Sequence, residues 1–238
     1  MELGEIISDA ITYPLHNIKS FLIYVLIGVV GGILGGSSII GMIGAIAGKH
    51  FVVAGGFGVL GILIAVVASL LISGYTLDIV KYGIERRNDG PGIDFVRQIL
   101  NAIKLIVVSF VYYFIPVVIG WILGFLLGSG ILTIIITIAI YVLFALAQYM
   151  AVCRLAKYDS LEKALAIREA IDDISKVGVI KLLVTVLIII LIAVVIGAIL
   201  VIIFGYQPYV GGVLLGIFGV YLVFFYNRAI GLLYSDVH

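Results

Sequence analysis

The chain has 238 residues, of which 64% are hydrophobic and 11% are charged, and its mean hydropathy is +1.34. Because a soluble globular domain carries about a quarter charged residues, this composition excludes a soluble domain and predicts a polytopic membrane protein. Basic clusters such as Arg86 and Arg87 are interleaved with acidic residues, which argues against a nucleic-acid surface. The single cysteine, Cys153, excludes an intrachain disulfide.

Four uncharged runs predict the membrane-spanning helices. They are residues 20–48, 51–77, 105–153 and 182–227. A helix needs about 20 apolar residues to cross a bilayer, so the first two runs each hold one span and the last two each hold a hairpin of two. The predicted fold is all-α, a six-span helical bundle that forms a single integral membrane domain over residues 1–238.

A short amphipathic motif, I-x-[Asp/Asn/Glu]-A-I, recurs three times along the chain. It stands at residues 7–11 (ISDAI), 99–103 (ILNAI) and 167–171 (IREAI). Its polar and apolar residues fall on different faces of a helix, which is typical of a helix that lies on a membrane surface. We therefore predict three pseudo-repeated hairpins, each preceded by an amphipathic interfacial elbow helix, with internal repeats at approximately residues 5–83, 93–157 and 160–234.

The second copy illustrates the predicted unit. Residues 99–120 are expected to form a surface helix, an elbow and a spanning helix, and Asp94 is placed to cap the first helix. In the span, Pro116 removes a backbone hydrogen bond and predicts a kink, which is either static or a hinge for gating.

Glycines recur every fourth residue in the first and third spans. Such a face lets another helix approach closely, which predicts helix packing inside the subunit or, as the alternative, self-association through a glycine zipper. The glycines are Gly28, Gly32, Gly36, Gly120, Gly124 and Gly128.

Several lysines and aromatic residues stand at the predicted ends of the spans. Lysine can extend its side chain from a span to water, and tyrosine and tryptophan favour the headgroup layer. Trp121 lies about 25 Å beyond Lys104 along a helix, at the opposite interface. The predicted interfacial anchors are Lys19, Tyr75, Lys104, Trp121, Tyr149, Lys181 and Tyr226.

The distribution of charge predicts the orientation. Every Lys and Arg except Lys49 lies in the N-terminal helix, the two polar segments or the C-terminal tail, so the positive-inside rule places both termini in the cytoplasm of a multi-pass cell-membrane protein. All acidic residues share that face, which argues against a polybasic anchor for anionic lipid.

No motif for catalysis, metal binding or cofactor binding is recognisable. The three histidines, His16, His50 and His238, are far apart in the sequence, and no ionisable residue falls clearly within a predicted span. Ion-coupled transporters usually need such groups. We therefore expect no catalytic residues, no metal site, no cofactor and no nucleic-acid partner.

Two consecutive segments carry a family resemblance: GYTLDIVKYGIERRNDGPGIDF, residues 74–95, and IKLIVVSFVYYFIPVVI, residues 103–119. They resemble a family of archaeal multi-pass membrane proteins known only as a domain of unknown function. The resemblance implies a similar helical membrane fold and no particular activity. The residues that carry it are Gly74, Tyr75, Pro91, Asp94, Phe95, Tyr113 and Pro116.

These features favour an integral membrane protein that is not an enzyme. The leading hypothesis is a scaffold, accessory or membrane-organising protein in contact with the lipid bilayer. Its amphipathic helices would form a cytoplasmic collar that binds a cytoplasmic or membrane protein, or a second copy of the chain. The alternative is a transporter, channel or lipid-handling protein with a path between the repeats.

Overall fold

A computed structural model describes residues 1–237, apart from the side chains of residues 35–37, 39–40, 204, 208–209 and 212. In that part of the chain all regular secondary structure is helical, which confirms the predicted all-α class. In chain order the helices are α1 (Leu3–His16), α2 (Ile18–Ala47), α3 (Phe51–Ile84), α4 (Phe95–Leu127), α5 (Ile131–Tyr158), α6 (Leu161–Leu165), α7 (Ile167–Val177), α8 (Val179–Tyr206) and α9 (Pro208–Tyr234).

Within the described residues, five helices are long and apolar enough to cross a membrane. They are Phe51–Ile84, Phe95–Leu127, Ile131–Tyr158, Val179–Ile203 and Val213–Tyr234. The number rises to six if the pair Leu3–His16 and Ile18–Leu34, bent by 77°, counts as one further span. The prediction of a membrane protein with several spanning helices is thus confirmed, with five or six candidate spans.

Consecutive long helices pack as pairs, α2 with α3, α4 with α5, and α8 with α9. Helix α3 contacts α2, α4, α5 and α9, so the second members of the pairs, α3, α5 and α9, form the interior. Most buried residues of these three helices lie toward their C-terminal ends, at residues 74–83, 144–156 and 220–234. We call the end of the molecule formed by these C-terminal ends, α1, α6, α7 and the linker 85–94 the polar end.

Two of the amphipathic segments, α1 and α7, are each separated from the following long helix by a single non-helical residue. Asn17, with φ −112° and ψ 44°, stands between α1 and α2, and Gly178, with φ +96°, stands between α7 and α8. Glycine adopts such a positive φ without the steric cost that a side chain brings.

The second copy has no such break, so an unbroken helix stands where an elbow was predicted. Helix α4 continues from Phe95 to Leu127 through Pro116, because no glycine or proline stands between residues 95 and 115. Its 33 residues span roughly 50 Å at 1.5 Å per residue. Asp94 caps the helix as predicted, since its side chain accepts a hydrogen bond from the backbone nitrogen of Arg97 at 3.1 Å.

Candidate functional site

The same kind of polar contact recurs at all three I-x-[Asp/Asn/Glu]-A-I motifs. In each motif the Asp, Asn or Glu binds a charged residue near the C-terminal end of an inner helix, on α9, α3 and α5 respectively. The contacts are Asp9 with Arg228, Asn101 with Asp78, and Glu169 with Arg154. Because the first motif binds the last inner helix, the three contacts close a circle at the polar end.

The alanine that follows each polar residue explains how the motif fits. Ala10, Ala102 and Ala170 are each fully buried. A single methyl group lets one helix lie close to another, whereas a longer side chain at this position would hold them apart. The motif therefore combines a small packing residue with a polar group that reaches an inner helix.

Arg228 is the most heavily bonded of these charged residues, and it is 1% exposed. Nε and Nη2 donate to the carboxylate of Asp9 at 2.7 and 3.3 Å. Nη1 donates to the carbonyl oxygens of Tyr82 and Arg87 at 3.2 and 2.5 Å, and Nη2 to Oδ1 of Asn88 at 3.0 Å. A buried charge is tolerated only when it is paired and hydrogen-bonded, so this guanidinium fixes α1 and the linker to α9.

Arg154 plays the equivalent role on α5. Its Nε donates to the carbonyl oxygen of Lys163 at 2.8 Å and its Nη1 to Oδ2 of Asp173 at 2.9 Å. It also pairs with Glu169. This cluster joins α6 and α7 to the end of α5.

Asp173 is fully buried at the centre of that cluster. It also accepts hydrogen bonds from the hydroxyl of Tyr234 and from Nζ of Lys176, both at 2.6 Å. Burial opposes ionisation of the carboxyl group, but these hydrogen bonds and the one from Arg154 outweigh it and lower the pKa of Asp173. The cluster is therefore ionised at neutral pH.

Helices α3 and α4 lie close together at Gly74. A Cβ atom there would lie 1.7 Å from the carbonyl oxygen of Gln98. Beside this crossing, the hydroxyl of Tyr24 donates to Oε1 of Gln98 at 2.5 Å, and the rings of Tyr24 and Tyr75 stack at 4.2 Å. The crossing thus joins α2, α3 and α4.

A cavity of about 1060 Å³ lies between α3 and α4 and reaches α5 and α9. We call it the crevice. It is open to the surface along α3 and α4, and apolar residues such as Val66, Leu105 and Phe110 form most of its wall. Seven side chains bring hydroxyl or amide groups to it, namely Ser69, Ser73, Thr76, Ser109, Tyr113, Tyr226 and Asn227.

A second cavity of about 400 Å³ lies nearer the polar end, between α3, α4 and α5. We call it the polar pocket. Three ion pairs stand in its wall, between Arg97 and Asp78 at 3.0 Å, Lys104 and Asp159 at 2.5 Å, and Arg87 and Glu85 at 3.7 Å. Lys81 also lines the pocket.

The glycines predicted for helix packing differ in their surroundings. A Cβ on Gly28 would lie 3.3 Å from Val220, and one on Gly120 would lie 3.0 Å from Thr137. At Gly32, Gly124 and Gly128 it would meet no atom within 4 Å, and Gly36 falls outside the residues whose surroundings are described. Gly128, with φ +73°, ends α4.

The predicted interfacial anchors occupy several environments. Trp121 is 75% exposed, and Lys19 is also exposed. Lys104 and Lys181 form ion pairs with Asp159 and Asp236.

Three of the predicted anchors, Tyr75, Tyr149 and Tyr226, contact other parts of the helical bundle. Tyr75 is 1% exposed, and its hydroxyl donates to the carbonyl oxygen of Pro91 at 3.1 Å. The rings of Tyr149 and Tyr226 are 5.8 Å apart, and Tyr226 lines the crevice. Pro116 is buried within α4, beside the crevice residue Val117.

The sequence analysis did not single out Arg154 or Arg228 as buried. A signal was present, because each arginine stands at the end of a span with no acidic residue within four positions. A cation without a local partner has to find a carboxylate elsewhere in the chain if it is to be buried.

Within residues 1–237, no group of three or more His, Cys, Asp and Glu is placed to hold a metal ion.

A comparison with known protein families gives a match. The model of a family described as "Protein of unknown function (DUF4013)" matches residues 57–205. That range begins in α3 and ends in α8, so it includes the crevice walls on α3 and α4 and every residue that lines the polar pocket. Neither the curated proteins nor the solved structures gave a match.

Proposed function

Since this chain belongs to the DUF4013 family of proteins of unknown function, its membership brings no activity, and we propose from its geometry that it binds a membrane lipid in the crevice. The single observation that carries this proposal is a cavity of about 1060 Å³ that opens sideways between two spanning helices. This choice favours the lipid-handling alternative over a purely structural scaffold.

The size and the lining of the crevice support a lipid as its occupant. Small-molecule sites are usually clefts of about 300–1,000 Å³ with mostly apolar walls and a few polar groups, and the crevice is at the upper limit of that range. Its side opening faces the hydrocarbon region, where lipid chains are the available ligands. The hydroxyl of Ser73 and the amide of Asn227, nearer the polar end than Ser69, provide hydrogen-bonding groups for the polar part of an amphiphile.

The proposal is tested by filling the crevice. Ser69 on α3 lines it, while Ile62 on the same helix is 64% exposed and does not. The delipidated protein in detergent is titrated with dioleoyl phosphatidylcholine, and bound lipid is counted by native mass spectrometry. Ser69→Phe should weaken binding at least tenfold, because the ring occupies the space of the lipid chain, whereas Ile62→Phe should bind like the wild type. Equal binding by both variants would refute the proposal.

The scaffold remains the second candidate, and one surface favours it. The outer face of α6 and α7 carries exposed charged side chains that could contact a partner protein, namely Glu162, Lys163, Arg168, Asp172 and Lys176. Under this hypothesis the collar binds a cytoplasmic or membrane protein, or a second copy of the chain. A protein that loses no lipid binding when the crevice is filled would leave this candidate as the better one.

We extend the proposal to the architecture and location of the protein. We infer six spans, three internal repeats, both termini in the cytoplasm, and a place in the cell membrane of an archaeon. The recurrence of the motif contacts at α9, α3 and α5 supports the repeats, and the location of every Lys and Arg except Lys49 supports the orientation. The proposed function needs no catalytic step, cofactor or nucleic acid.

A further inference from the structure

We infer that the polar pocket is the headgroup subsite of the lipid whose chain lies in the crevice, and that Lys81 makes this subsite select an anionic headgroup. The inference rests on the lipid-binding function proposed above. It adds the chemical class of the lipid and the residue that selects it.

The crevice and the polar pocket are neighbours along three helices. On α3 the crevice ends at Thr76 and the pocket begins at Leu77. On α4, Ala102 of the crevice follows Asn101 of the pocket, and on α5 the two cavities are less than one helical turn apart. A lipid with its chain in the crevice therefore has its headgroup beside the polar pocket.

The charges of the polar pocket are unequal. Four cations line it, Lys81, Arg87, Arg97 and Lys104, against the three carboxylates of Asp78, Glu85 and Asp159. Arg97 and Lys104 form ion pairs with Asp78 and Asp159, and Arg87 pairs with Glu85 at 3.7 Å and more closely with Asp89, which lies outside the pocket.

Lys81 is the fourth cation of the polar pocket, and it takes part in none of these ion pairs. It forms no ion pair with any residue in the described part of the chain, and its side chain is exposed. A phosphate that carries a net negative charge complements this ammonium group. A phosphocholine headgroup brings a positive charge of its own and gains less.

Because the polar end as a whole is close to neutral, the preference for an anionic headgroup is confined to the site at Lys81. Non-specific attraction of anionic lipid needs a cluster of unpaired cations, and most cations here are paired. Preference for an anionic headgroup should therefore depend on the one site at Lys81 rather than on the whole surface.

Native mass spectrometry of the delipidated protein in a non-ionic detergent tests the inference. The probes are dioleoyl phosphatidylglycerol and dioleoyl phosphatidylcholine, which share their chains and differ in headgroup. The wild type should bind phosphatidylglycerol about fivefold more tightly, the effect of one lysine near a phosphate. Lys81→Gln should abolish that preference, because it should weaken phosphatidylglycerol binding about fivefold more than phosphatidylcholine binding.

Lys19→Gln is the matched control. Lys19 is an exposed lysine near the same end of the molecule that lines neither cavity, so this variant should keep the fivefold preference. Glycerol 3-phosphate, which has the phosphate but no chains, should not compete at lipid concentrations that saturate the protein. If it competes as well as phosphatidylglycerol, the pocket binds a soluble phosphate and the lipid assignment is wrong.

The outcomes separate this inference from the function on which it rests. If the wild type binds both lipids equally, or if Lys81→Gln keeps the preference, the headgroup assignment is overturned. In that case Ser69→Phe would still weaken both lipids. If Ser69→Phe weakens neither lipid, the proposed function itself fails.

Discussion

Asp173 and its neighbour Asp172 show how differently two adjacent carboxylates of α7 are used. Asp173 is fully buried and is bonded to Arg154, Lys176 and Tyr234, whereas Asp172 is exposed. The sequence analysis could place both on a helix but could not tell which one is buried. That choice depends on where the ends of α5 and α9 lie, which is long-range information.

We predict that Asp173→Asn destabilises the protein by about 3–5 kcal/mol, because it leaves the buried Arg154 without its main counter-charge. Asp172→Asn, the adjacent control, should change the free energy of unfolding by less than about 0.5 kcal/mol. Chemical unfolding in detergent, followed by circular dichroism, measures both. A loss of similar size in the two variants would contradict the assigned role of Asp173.

The pH dependence of this difference provides a second check on the same pair. The folded state lowers the pKa of Asp173 below its ordinary value of 3.8. A lowered pKa contributes stability that is present above the unfolded-state pKa and is lost as pH falls through the folded-state pKa. The stability gap between wild type and Asp173→Asn should therefore be constant above about pH 5 and shrink below about pH 4.

Some features of the helices follow from neighbouring residues in the sequence, whereas others depend on contacts between helices. The presence of long apolar helices follows from the uncharged runs, and the cap at Asp94 follows from its position before an amphipathic segment. The close approach of α3 and α4 at Gly74 does not follow from spacing, because Gly74 belongs to none of the every-fourth-residue glycine patterns. Which glycine is crowded depends on where a second helix crosses.

Gly74→Ala should be the more damaging of two glycine substitutions. Its new Cβ would meet the carbonyl oxygen of Gln98 at 1.7 Å, so α3 and α4 must separate, at a cost of about 3 kcal/mol or more. Gly124→Ala meets no atom within 4 Å, and alanine should be neutral or stabilise α4 by up to about 1 kcal/mol. Thermal unfolding of the two variants in detergent distinguishes them, and an unchanged Gly74→Ala protein would show that this crossing is wrong.

In the whole molecule, the three motif contacts and most of the buried core lie at the polar end. The C-terminal ends of α3, α5 and α9 are buried there, while the crevice lies further along α3 and α4 between less buried surfaces. The sequence predicted that the charged residues share this end, because they are absent from the apolar runs. It could not predict the crevice, since a cavity depends on how two helices diverge beyond their crossing.

The orientation of the protein in the membrane determines which compartment the polar end faces. Asp89 on the linker and Glu162 on α6 are exposed at the polar end, while Lys49 lies in the turn between α2 and α3. In a Cys153→Ala background, single cysteines are placed at these three positions and intact cells are treated with a membrane-impermeant maleimide. Lys49→Cys should be labelled from outside, and Asp89→Cys and Glu162→Cys should react only after the membrane is opened, because the positive-inside rule places the lysine- and arginine-rich end in the cytoplasm. Labelling of Asp89→Cys or Glu162→Cys in intact cells would reverse the orientation and place the headgroup subsite at Lys81 in the outer leaflet.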